Sequence, residues 1–335
     1  MRTLTGIQAS GKLHIGNYFG AMKQMVDAQN SKKDGDEIFM MIADLHSLTS
    51  LNKPGDAKIL RENVKNTILD YLAVGLDPEK VILYVQSDIP EVTELYWYLS
   101  SITGIGMLGQ AHSYKDKIAN GVSPNHALFS YPVLMAADIL IVKADKVPVG
   151  KDQIQHLEIT RDIAKKFNYT FCEEGNEVFT IPEAKIQEEL KTIPGLDGQK
   201  MSKSYGNTIP LFGTENEIKK KIMSISTDSK TVEEPKNPDK CNIFALYKLV
   251  SNEEEIEKMR QNYLKGNYGY GDAKKALFEN MKKYFGPMWK KREELEEKYK
   301  KDKNFLAEIR EIGAKKMKWN AMKVLEKARR RIGIK

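Results

Sequence analysis

Residues 6–17 read GIQASGKLHIGN, a stretch of small residues between an apolar segment and a predicted helix that begins at Tyr18. Glycines let backbone N–H groups approach an anion closely, and the first turn of a helix adds a favourable partial charge. His14 and Asn17, three residues apart across one turn, could both donate to phosphate oxygens. The spacing is neither that of the dinucleotide fingerprint nor that of the P-loop. The stretch therefore predicts a phosphate site of another kind; a tight turn with a satisfied histidine is the alternative.

The segments around this stretch alternate between strand-like and helical patterns. Four apolar runs predict strands, over residues 2–7, 37–43, 81–86 and 147–149. Between them, apolar side chains recur at helical spacing over residues 57–76 and 152–167. This alternation predicts an α/β fold with a parallel sheet covered by helices. In such a sheet, ligands bind beyond the carboxyl ends of the strands, so the loops that follow the strands are where we expect chemistry.

The chain changes character after residue 204, because charged helical patterns predominate from residue 215 onward. The predicted helices cover residues 215–224, 241–249, 253–264, 272–284, 288–300 and 304–331. Gly286 and Pro287 separate two of them. We therefore expect two domains: an α/β domain over residues 1–204, and a helical domain over residues 205–335 whose last helix could pack back on the first domain.

Charge is distributed unevenly along the chain, whose formal net charge is +7. Residues 1–200 contain 21 Lys+Arg and 26 Asp+Glu, so residues 201–335 hold the remaining 32 and 20 and carry +12. A basic C-terminal part favours a polyanionic partner such as RNA. Solvated lysine-rich helix faces are the alternative.

Composition narrows the class of protein further. With 41% hydrophobic and 30% charged residues, the sequence has the composition of a soluble globular protein. No apolar run reaches the ~20 residues that a membrane span needs. Cys172 and Cys241 have no CxxC partner, which disfavours a disulfide framework or a thiolate zinc site and favours a reducing cytoplasm.

A second stretch with phosphate-handling character lies two-thirds along the chain, where residues 197–207 read DGQKMSKSYGN. Lys200 and Lys203 stand among hydroxyl side chains and turn-forming pairs, a pattern that predicts a loop closing on a polyphosphate. Transfer at phosphorus depends on positioned cations more than on a covalent nucleophile. A solvated lysine loop is the alternative.

The two stretches together resemble the paired signatures of class I aminoacyl-tRNA synthetases, in which both segments bind ATP. The first motif, HIGN, departs from the commoner His-x-Gly-His form by ending in Asn17. Residues 130–140 and 147–162 further resemble the motifs of tryptophanyl-tRNA synthetases of the bacterial type. The resemblance is strong over about residues 1–210 and implies a Rossmann-like catalytic domain followed by an α-helical anticodon-binding domain.

The residues themselves agree with a tryptophan pocket. Tyr131, Met135 and Asp138 fall at i, i+4 and i+7, so they share one helix face that is otherwise apolar. A buried carboxylate needs a partner, and the indole of tryptophan is a hydrogen-bond donor only. The alternative is that Tyr131 and Met135 are core residues and that Asp138 pairs with a lysine inside the protein.

The resemblance implies a role for each matching position. For tryptophan it implies Asp138 at the indole N–H, Met135 and His46 at the ring, and Tyr131 and Gln153 at the ammonium and carboxylate. For ATP it implies Gln8, Ala9, Ser10, Gly16, Asn17, Gly150, Lys151, Asp152, Ile193, Lys200, Met201, Ser202, Lys203 and Ser204. The catalytic residues would be His14, Asn17, Lys117, Lys200 and Lys203. A Mg²⁺ ion would be held chiefly by the phosphates, without protein ligands.

The implied activity is that of a tryptophan–tRNA ligase. Such an enzyme forms tryptophanyl-adenylate and pyrophosphate from L-tryptophan and ATP and then aminoacylates tRNA(Trp). The resemblance also implies a cytoplasmic homodimer without a membrane association. A tyrosine-specific synthetase, an RNA-binding paralogue without activity and a small-molecule adenylyltransferase are the alternatives.

Overall fold

The computed structural model describes residues 1–119, 121, 123–150, 153–186 and 193–334. A parallel five-stranded sheet in the order β3-β2-β1-β4-β5 lies at the centre of this part of the chain. The strands are β1 Arg2–Gln8, β2 Glu37–Ala43, β3 Ile82–Val85, β4 Lys146–Val149 and β5 Glu183–Ile186. The four predicted strands are confirmed, and the edge strand β5 is an addition to the prediction.

The helices surround this sheet. They are α1 Ile15–Asn17, α2 Lys23–Asn30, α3 Asp44–Ser47, α4 Asp56–Ala73, α5 Pro90–Ile102, α6 Ile105–Gly109, α7 His112–Ala119, α8 His126–Ile141, α9 Ile154–Phe171, α10 Glu215–Met223, α11 Asn242–Val250, α12 Glu253–Lys265, α13 Tyr270–Lys301 and α14 Asn304–Ile332. A π-helical segment, Tyr18–Met22, joins α1 to α2. The first helix was predicted to begin at Tyr18; it begins about one turn earlier, at Ile15, and continues through this π-helical segment.

One prediction for the C-terminal part is wrong. Residues 272–284 and 288–300 were expected to form separate helices, whereas both belong to α13, with Pro287 inside it. Proline removes one helical hydrogen bond and usually ends or kinks a helix. Here Phe285 is fully buried, and the indole N–H of Trp289 donates to the carbonyl of Leu211 at 2.8 Å. Packing on both sides of the proline therefore carries the helix through it.

The sheet separates two hydrophobic cores. Along β2, which is buried on both faces as central parallel strands are, Met40 and Ile42 enter one core and Phe39 and Met41 the other. The first core also contains side chains of α4, α11 and α13, and the second contains those of α5, α8, α9 and α14. Helices from beyond residue 205 thus contribute to both layers. No described helix is long and apolar enough to cross a membrane.

Strands β1 and β4 are paired at one end only and leave a gap between them at the other. β1 pairs with β2 along its whole length, from Arg2–Glu37 to Gln8–Ala43, but with β4 only at Thr3–Lys146. Beyond that bridge β1 and β4 diverge toward their carboxyl ends. This gap lies where the strand order reverses, which is the expected place for a ligand in an open α/β sheet.

Candidate active site

A cavity of about 470 Å³ occupies the gap between β1 and β4. Backbone and side chains of both strands line it, with α8 on one side and the segment from Gly20 to Met25 on another. The residues predicted from sequence that line it are Gln8, His46, Tyr131, Met135, Asp138, Gly150 and Gln153. The structure therefore brings together all five residues predicted for tryptophan and two of those predicted for ATP.

Asp138 is the most deeply buried polar group of this cavity, with 1% of its surface exposed. The Nε2–H of His46 donates to its Oδ2 at 2.9 Å, and the Nε2–H₂ of Gln86 donates to both carboxylate oxygens at 2.9 Å. Burial raises the pKa of Asp138 above its ordinary value, and the hydrogen bonds from His46 and Gln86 offset only part of that rise. Since a carboxylate has about four acceptor positions, one remains for a further donor in the cavity.

The alternative partner predicted for Asp138, an internal lysine, is wrong. Its partners come instead from the turns that follow β2 and β3. Asp44 joins these two turns, because its Oδ1 accepts the backbone N–H groups of Leu45 and Ser87 at 3.0 Å each. Asp44 and Gln86 are functional candidates that sequence reasoning missed; their position directly after apolar strands was the available signal.

Tyr131 and Met135 lie on the same face of α8 as Asp138, which confirms the spacing argument. The Tyr131 hydroxyl shares a hydrogen bond of 2.6 Å with Nε2 of His156 on α9. Its ring also contacts that of His46 edge-on, with 6.3 Å between centroids. The wall of the cavity is therefore an aromatic and thioether surface whose rings are fixed by their neighbours.

The two stretches predicted to bind phosphate come together because the first pairs with the segment that follows the second. Residues 13–15 run antiparallel to residues 209–211: the N–H of Ile15 donates to Ile209 O at 3.1 Å, and that of Leu211 donates to Leu13 O at 3.0 Å. The ammonium of Lys203 donates to the carbonyl of Gly11 at 2.9 Å. Lys203 of the second stretch therefore already lies over the glycine turn of the first.

His14 is buried in this arrangement and stays neutral at pH 7. Burial, and then the nearby Lys203, lower its pKa to about 4. The side-chain oxygen of Asn17 accepts the backbone N–H of His14 at 3.1 Å, which fixes this side chain in the first turn of α1. Gly16 is needed here, because a Cβ at this position would lie 2.9 Å from Nδ1 of His14 and 3.4 Å from Cβ of Met201.

A buried asparagine shapes the second stretch. Asn207 accepts the backbone N–H of Ser202 at 2.8 Å and donates to Oδ1 of Asp197 at 2.8 Å. Met201 is buried, and its N–H donates to the carbonyl of Ile193 at 2.8 Å, which places Ile193 beside the loop. Lys200 is exposed at the start of the loop. Asn207 is a further residue that motif matching did not single out.

The remaining predicted residues divide into two groups. Ala9 is buried and Ser10 exposed just after β1, and the carbonyl of Ala9 accepts from Nδ2 of Asn63 at 2.9 Å. Lys151 and Asp152 lie outside the described residues, as do the side chains of Lys117 in α7 and of Ser204. Among the residues that the structure describes, no cluster of three or more His, Cys, Asp or Glu could hold a metal ion.

Comparison with known proteins gives consistent matches over the whole chain. The family model of tRNA synthetases class I (W and Y) matches residues 1–286. The Tryptophan--tRNA ligase of Fusobacterium nucleatum subsp. nucleatum is 53% identical over 333 residues, 99% of this chain and 98% of the relative. The Tryptophan--tRNA ligase of Rhodopirellula baltica is 48% identical over 335 residues, which are 100% of this chain and 100% of the relative.

A solved structure is similar at the level of the fold as well. The crystal structure of tryptophanyl-tRNA synthetase from Campylobacter jejuni, complexed with ADP and tryptophan, superposes with a TM-score of 0.89 at 48% identity. The match covers 99% of this chain and all of that one. By its sheet, its two joined motifs and these matches, the chain belongs to the class I tRNA synthetases for tryptophan and tyrosine.

Proposed function

We propose that this chain is a tryptophan–tRNA ligase, which joins L-tryptophan to ATP as tryptophanyl-adenylate with release of pyrophosphate and then transfers tryptophan to tRNA(Trp). The observation that carries this proposal is the buried carboxylate of Asp138 in a cavity that Gly6 and Gln8 of the first stretch also line. Relatives of 53% and 48% identity over the full chain bear the name of this ligase.

Tryptophan fits the chemistry of the cavity. Asp138 would accept the indole N–H in its remaining acceptor position, and Met135 and His46 would contact the ring. Tyr131 and Gln153 would hold the ammonium and carboxylate at the open end, near Gln8. Phenylalanine lacks the donor and would leave a buried acceptor unpaired, which is a costly mismatch.

ATP would bind across the joined stretches. Its base and ribose would lie along the predicted positions Gly150, Lys151 and Asp152 and the backbone of Ile193. Its phosphates would meet the remaining predicted positions, which are Gln8, Ala9, Ser10, His14, Gly16, Asn17, Lys117 and Lys200–Ser204. The lysines supply positive charge, and the neutral His14 supplies a hydrogen-bond donor that keeps its proton.

The reaction needs no side-chain nucleophile. The carboxylate of tryptophan attacks the α-phosphorus, the bond to the bridging oxygen breaks, and pyrophosphate leaves with the negative charge that Lys200 and Lys203 stabilise. A terminal tRNA hydroxyl then attacks the activated carbonyl carbon and AMP leaves. Mg²⁺ bound chiefly by the phosphates of ATP would share the charge stabilisation, because phosphate oxygens are the hard ligands that this ion prefers.

The basic part of the chain suits tRNA. We propose that residues 1–204 form the catalytic domain and residues 205–335 the anticodon-binding domain, whose last helix packs back on the first domain. The solvent face of α14 is rich in exposed lysines, and the ammonium of Lys323 lies 4.3 Å from the ring of Trp319, which is 66% exposed. Lysines and an exposed aromatic ring are the side chains that bind a phosphate backbone and an unstacked base.

A homodimer acting in the cytoplasm completes the proposal. Trp97 on α5 and Ile105 on α6 are 70% and 77% exposed, although large apolar side chains are usually covered. A second copy of the chain would cover them. Sedimentation of the chain and of the Trp97→Ala, Ile105→Ser double variant would test this; a wild-type monomer would contradict the dimer.

Substrate-dependent ATP–pyrophosphate exchange tests the activity. We expect exchange with tryptophan and little with tyrosine. Asp138→Asn keeps the shape of the side chain but replaces one oxygen with a donor, so tryptophan KM should rise by about tenfold or more while ATP KM stays unchanged. Faster exchange with tyrosine than with tryptophan would contradict the assignment.

A further inference from the structure

A second cavity, of about 360 Å³, lies where the start of β1, the turn after α8 and one face of α14 meet. Five basic residues and one acidic residue line it, namely Arg2, Lys143, Lys323, Lys327, Arg330 and Glu326. Arg2 begins β1 and Gln8 ends it, so about 20 Å of strand separates this basic cavity from the glycine turn. The basic cavity shares no lining residue with the candidate active site.

Arg2 fixes the shape of the basic cavity. Its Nε donates to Glu37 at 2.8 Å, its Nη1 to the carbonyl of Val142 at 3.0 Å and its Nη2 to the side-chain oxygen of Asn320 at 2.9 Å. The amide of Asn320 in turn donates to the carbonyl of Lys316 at 3.0 Å. One guanidinium therefore holds the end of α8 and the face of α14 together, and its own charge is matched by Glu37.

Lys143 lines the basic cavity from a strained backbone position. It directly follows the C-cap of α8, and its φ of 51° lies in the left-handed region, where helix ends favour glycine. The N–H groups of Lys143 and Ala144 close the helix end by donating to the carbonyls of Leu140 and Ile139, at 3.0 and 3.2 Å. Glycine would make this turn with less strain, but only a side chain brings a charge into the cavity.

The cations of the basic cavity outnumber its acids. With Arg2 matched by Glu37, four cations face the single carboxylate of Glu326. Neither Lys143 nor Lys327 forms an ion pair with a carboxylate in the part of the chain that the structure describes. Burial lowers the pKa of Lys143, and the charges of Lys327 and Arg2 lower it further. Like charges around one concave surface repel one another, and an anion between them removes this repulsion.

We propose that the basic cavity binds a phosphate group. Lysine ammonium groups and an arginine fork are the donors that phosphate oxygens prefer, and the cavity offers both. The group belongs either to an RNA backbone or to a free phosphate compound such as pyrophosphate. Lys323 favours the RNA source, which rests on the proposed function. Its side chain lines the cavity, and its ammonium also lies 4.3 Å from the centre of the exposed Trp319 ring, where an unstacked base would bind.

Lys143→Gly separates this role from folding. Glycine relieves the left-handed backbone and removes the ammonium, so the unfolding midpoint should stay equal or rise while phosphate binding falls. For a tRNA(Trp) transcript, we expect affinity at ~0.1 M salt to fall about fivefold. The slope of log affinity against log salt concentration should become shallower by about one. Lys143→Arg keeps the charge and should bind like wild type.

Calorimetric titration with pyrophosphate, in the absence of ATP and tryptophan, distinguishes the two sources. For an RNA backbone phosphate, we expect pyrophosphate to bind wild type and Lys143→Gly alike while the transcript binds the variant more weakly. Loss of one bound pyrophosphate in Lys143→Gly, with unchanged affinity for the transcript, would assign the cavity to a free phosphate compound.

Lys33→Gln is the matched control. Lys33 is exposed just before β2, at the same end of the sheet, and it does not line the basic cavity. The control should keep wild-type affinity and salt slope. An equal loss in Lys33→Gln would overturn the proposal, because general attraction to a basic surface would then explain the binding.

Two further results bear on the proposal. Binding of transcript and pyrophosphate that is unchanged in Lys143→Gly, or absent in wild type, would overturn it. ATP–pyrophosphate exchange with tryptophan should be the same in wild type, Lys143→Gly and Lys33→Gln, since none of these changes touches the candidate active site. Absence of this exchange in wild type would instead refute the proposed function and leave the binding measurements to decide the cavity.

Discussion

At the scale of single residues, the cavity depends on groups that carry no chemistry themselves. Gln86 is completely buried, and it uses both ends of its amide: the NH₂ group donates to Asp138, and the oxygen accepts the backbone N–H of His46 at 3.3 Å. It thus fixes the carboxylate and one wall of the ring pocket at once. Its contribution should appear as affinity for tryptophan rather than as rate.

Gln86→Leu should weaken tryptophan binding by about tenfold, because the variant leaves Asp138 with fewer donors and favours its protonated form. Calorimetric titration with tryptophan measures this. Gln29→Leu is the matched control, since Gln29 is also buried and bonds the backbone of Gly75 and Asp77 far from the cavity. The control should lose stability and keep its affinity; equal losses of affinity in both variants would contradict the role of Gln86.

His14 should make stability depend on pH in the acid range. Its pKa is about 4 in the folded chain and 6.5 as the ordinary value. The unfolded chain therefore binds the proton first, and the stability contribution is present above pH 6.5 and is lost as the pH falls toward 4. Between pH 7 and 4.5, wild type should lose about 2–3 kcal/mol more than His14→Gln in urea unfolding. Parallel pH profiles would contradict the low pKa.

The residues of the site were predictable to the extent that their placement is local. Tyr131, Met135 and Asp138 could be assigned to one face because helical spacing alone decides it. Gln86 and Asn207 could not, since their roles arise only when separate turns or loop segments meet in space. Motif matching recognises residues that are expected to contact substrate, and it misses the residues that fix the position of those side chains.

At the scale of elements, α14 can pack closely on the sheet because Gly313 has no side chain. A Cβ at Gly313 would lie 1.7 Å from the carbonyl oxygen of Leu83 in β3. The helix therefore approaches the strand more closely than any other residue would permit. Arg310 strengthens the contact by pairing with Asp88 at 2.7 Å, just after β3.

Gly313→Ala should destabilise the protein by more than about 3 kcal/mol, because backbone on both sides must move. Gly271→Ala in the first turn of α13 is the control, as nothing lies within 4 Å of a Cβ there. The control should be neutral or slightly stabilising, in line with the better helix propensity of alanine. Chemical unfolding of both variants and of wild type measures these changes in stability. Equal unfolding midpoints for Gly313→Ala and wild type would refute the close contact.

Elements were predictable where their pattern is strong. The apolar run of β2 reads as a strand without any context, whereas β5 has the sequence EAKI and becomes a strand only by pairing with β4. The opposite error occurred at Pro287, where a reliable local signal for a helix end was overridden by packing of Phe285 and Trp289. Both differences come from tertiary contacts that no local window contains.

At the scale of the whole molecule, the C-terminal helices are structural members of the sheet domain. Met317, Ala321 and Leu325 of α14 belong to the core on the second face of the sheet. The side chain of Asn320 also accepts from Arg2 at the start of β1, at 2.9 Å. The last helix therefore packs directly against the first strand.

A chain ending at Lys303 should fail to unfold as one cooperative unit, because its loss of α14 uncovers the second core. Circular dichroism on heating, together with binding of a hydrophobic dye, measures this. A chain ending at Ile332, which keeps all of α14, is the control and should unfold like wild type. A sharp transition at the wild-type midpoint for the shorter chain would contradict the structural role of α14.

The antiparallel pairing of residues 13–15 with residues 209–211 also determines when, during translation, the two motifs can come together. Lys203 follows Gly11 by 192 residues, so the first motif leaves the ribosome long before the segments that complete it. At about 5–20 residues per second, the wait is on the order of ten seconds or more. During that interval the proposed ATP site of the nascent chain is incomplete, and ATP cannot stabilise the chain by binding there. Stabilisation by ATP is thus delayed until residues 209–211 have been made.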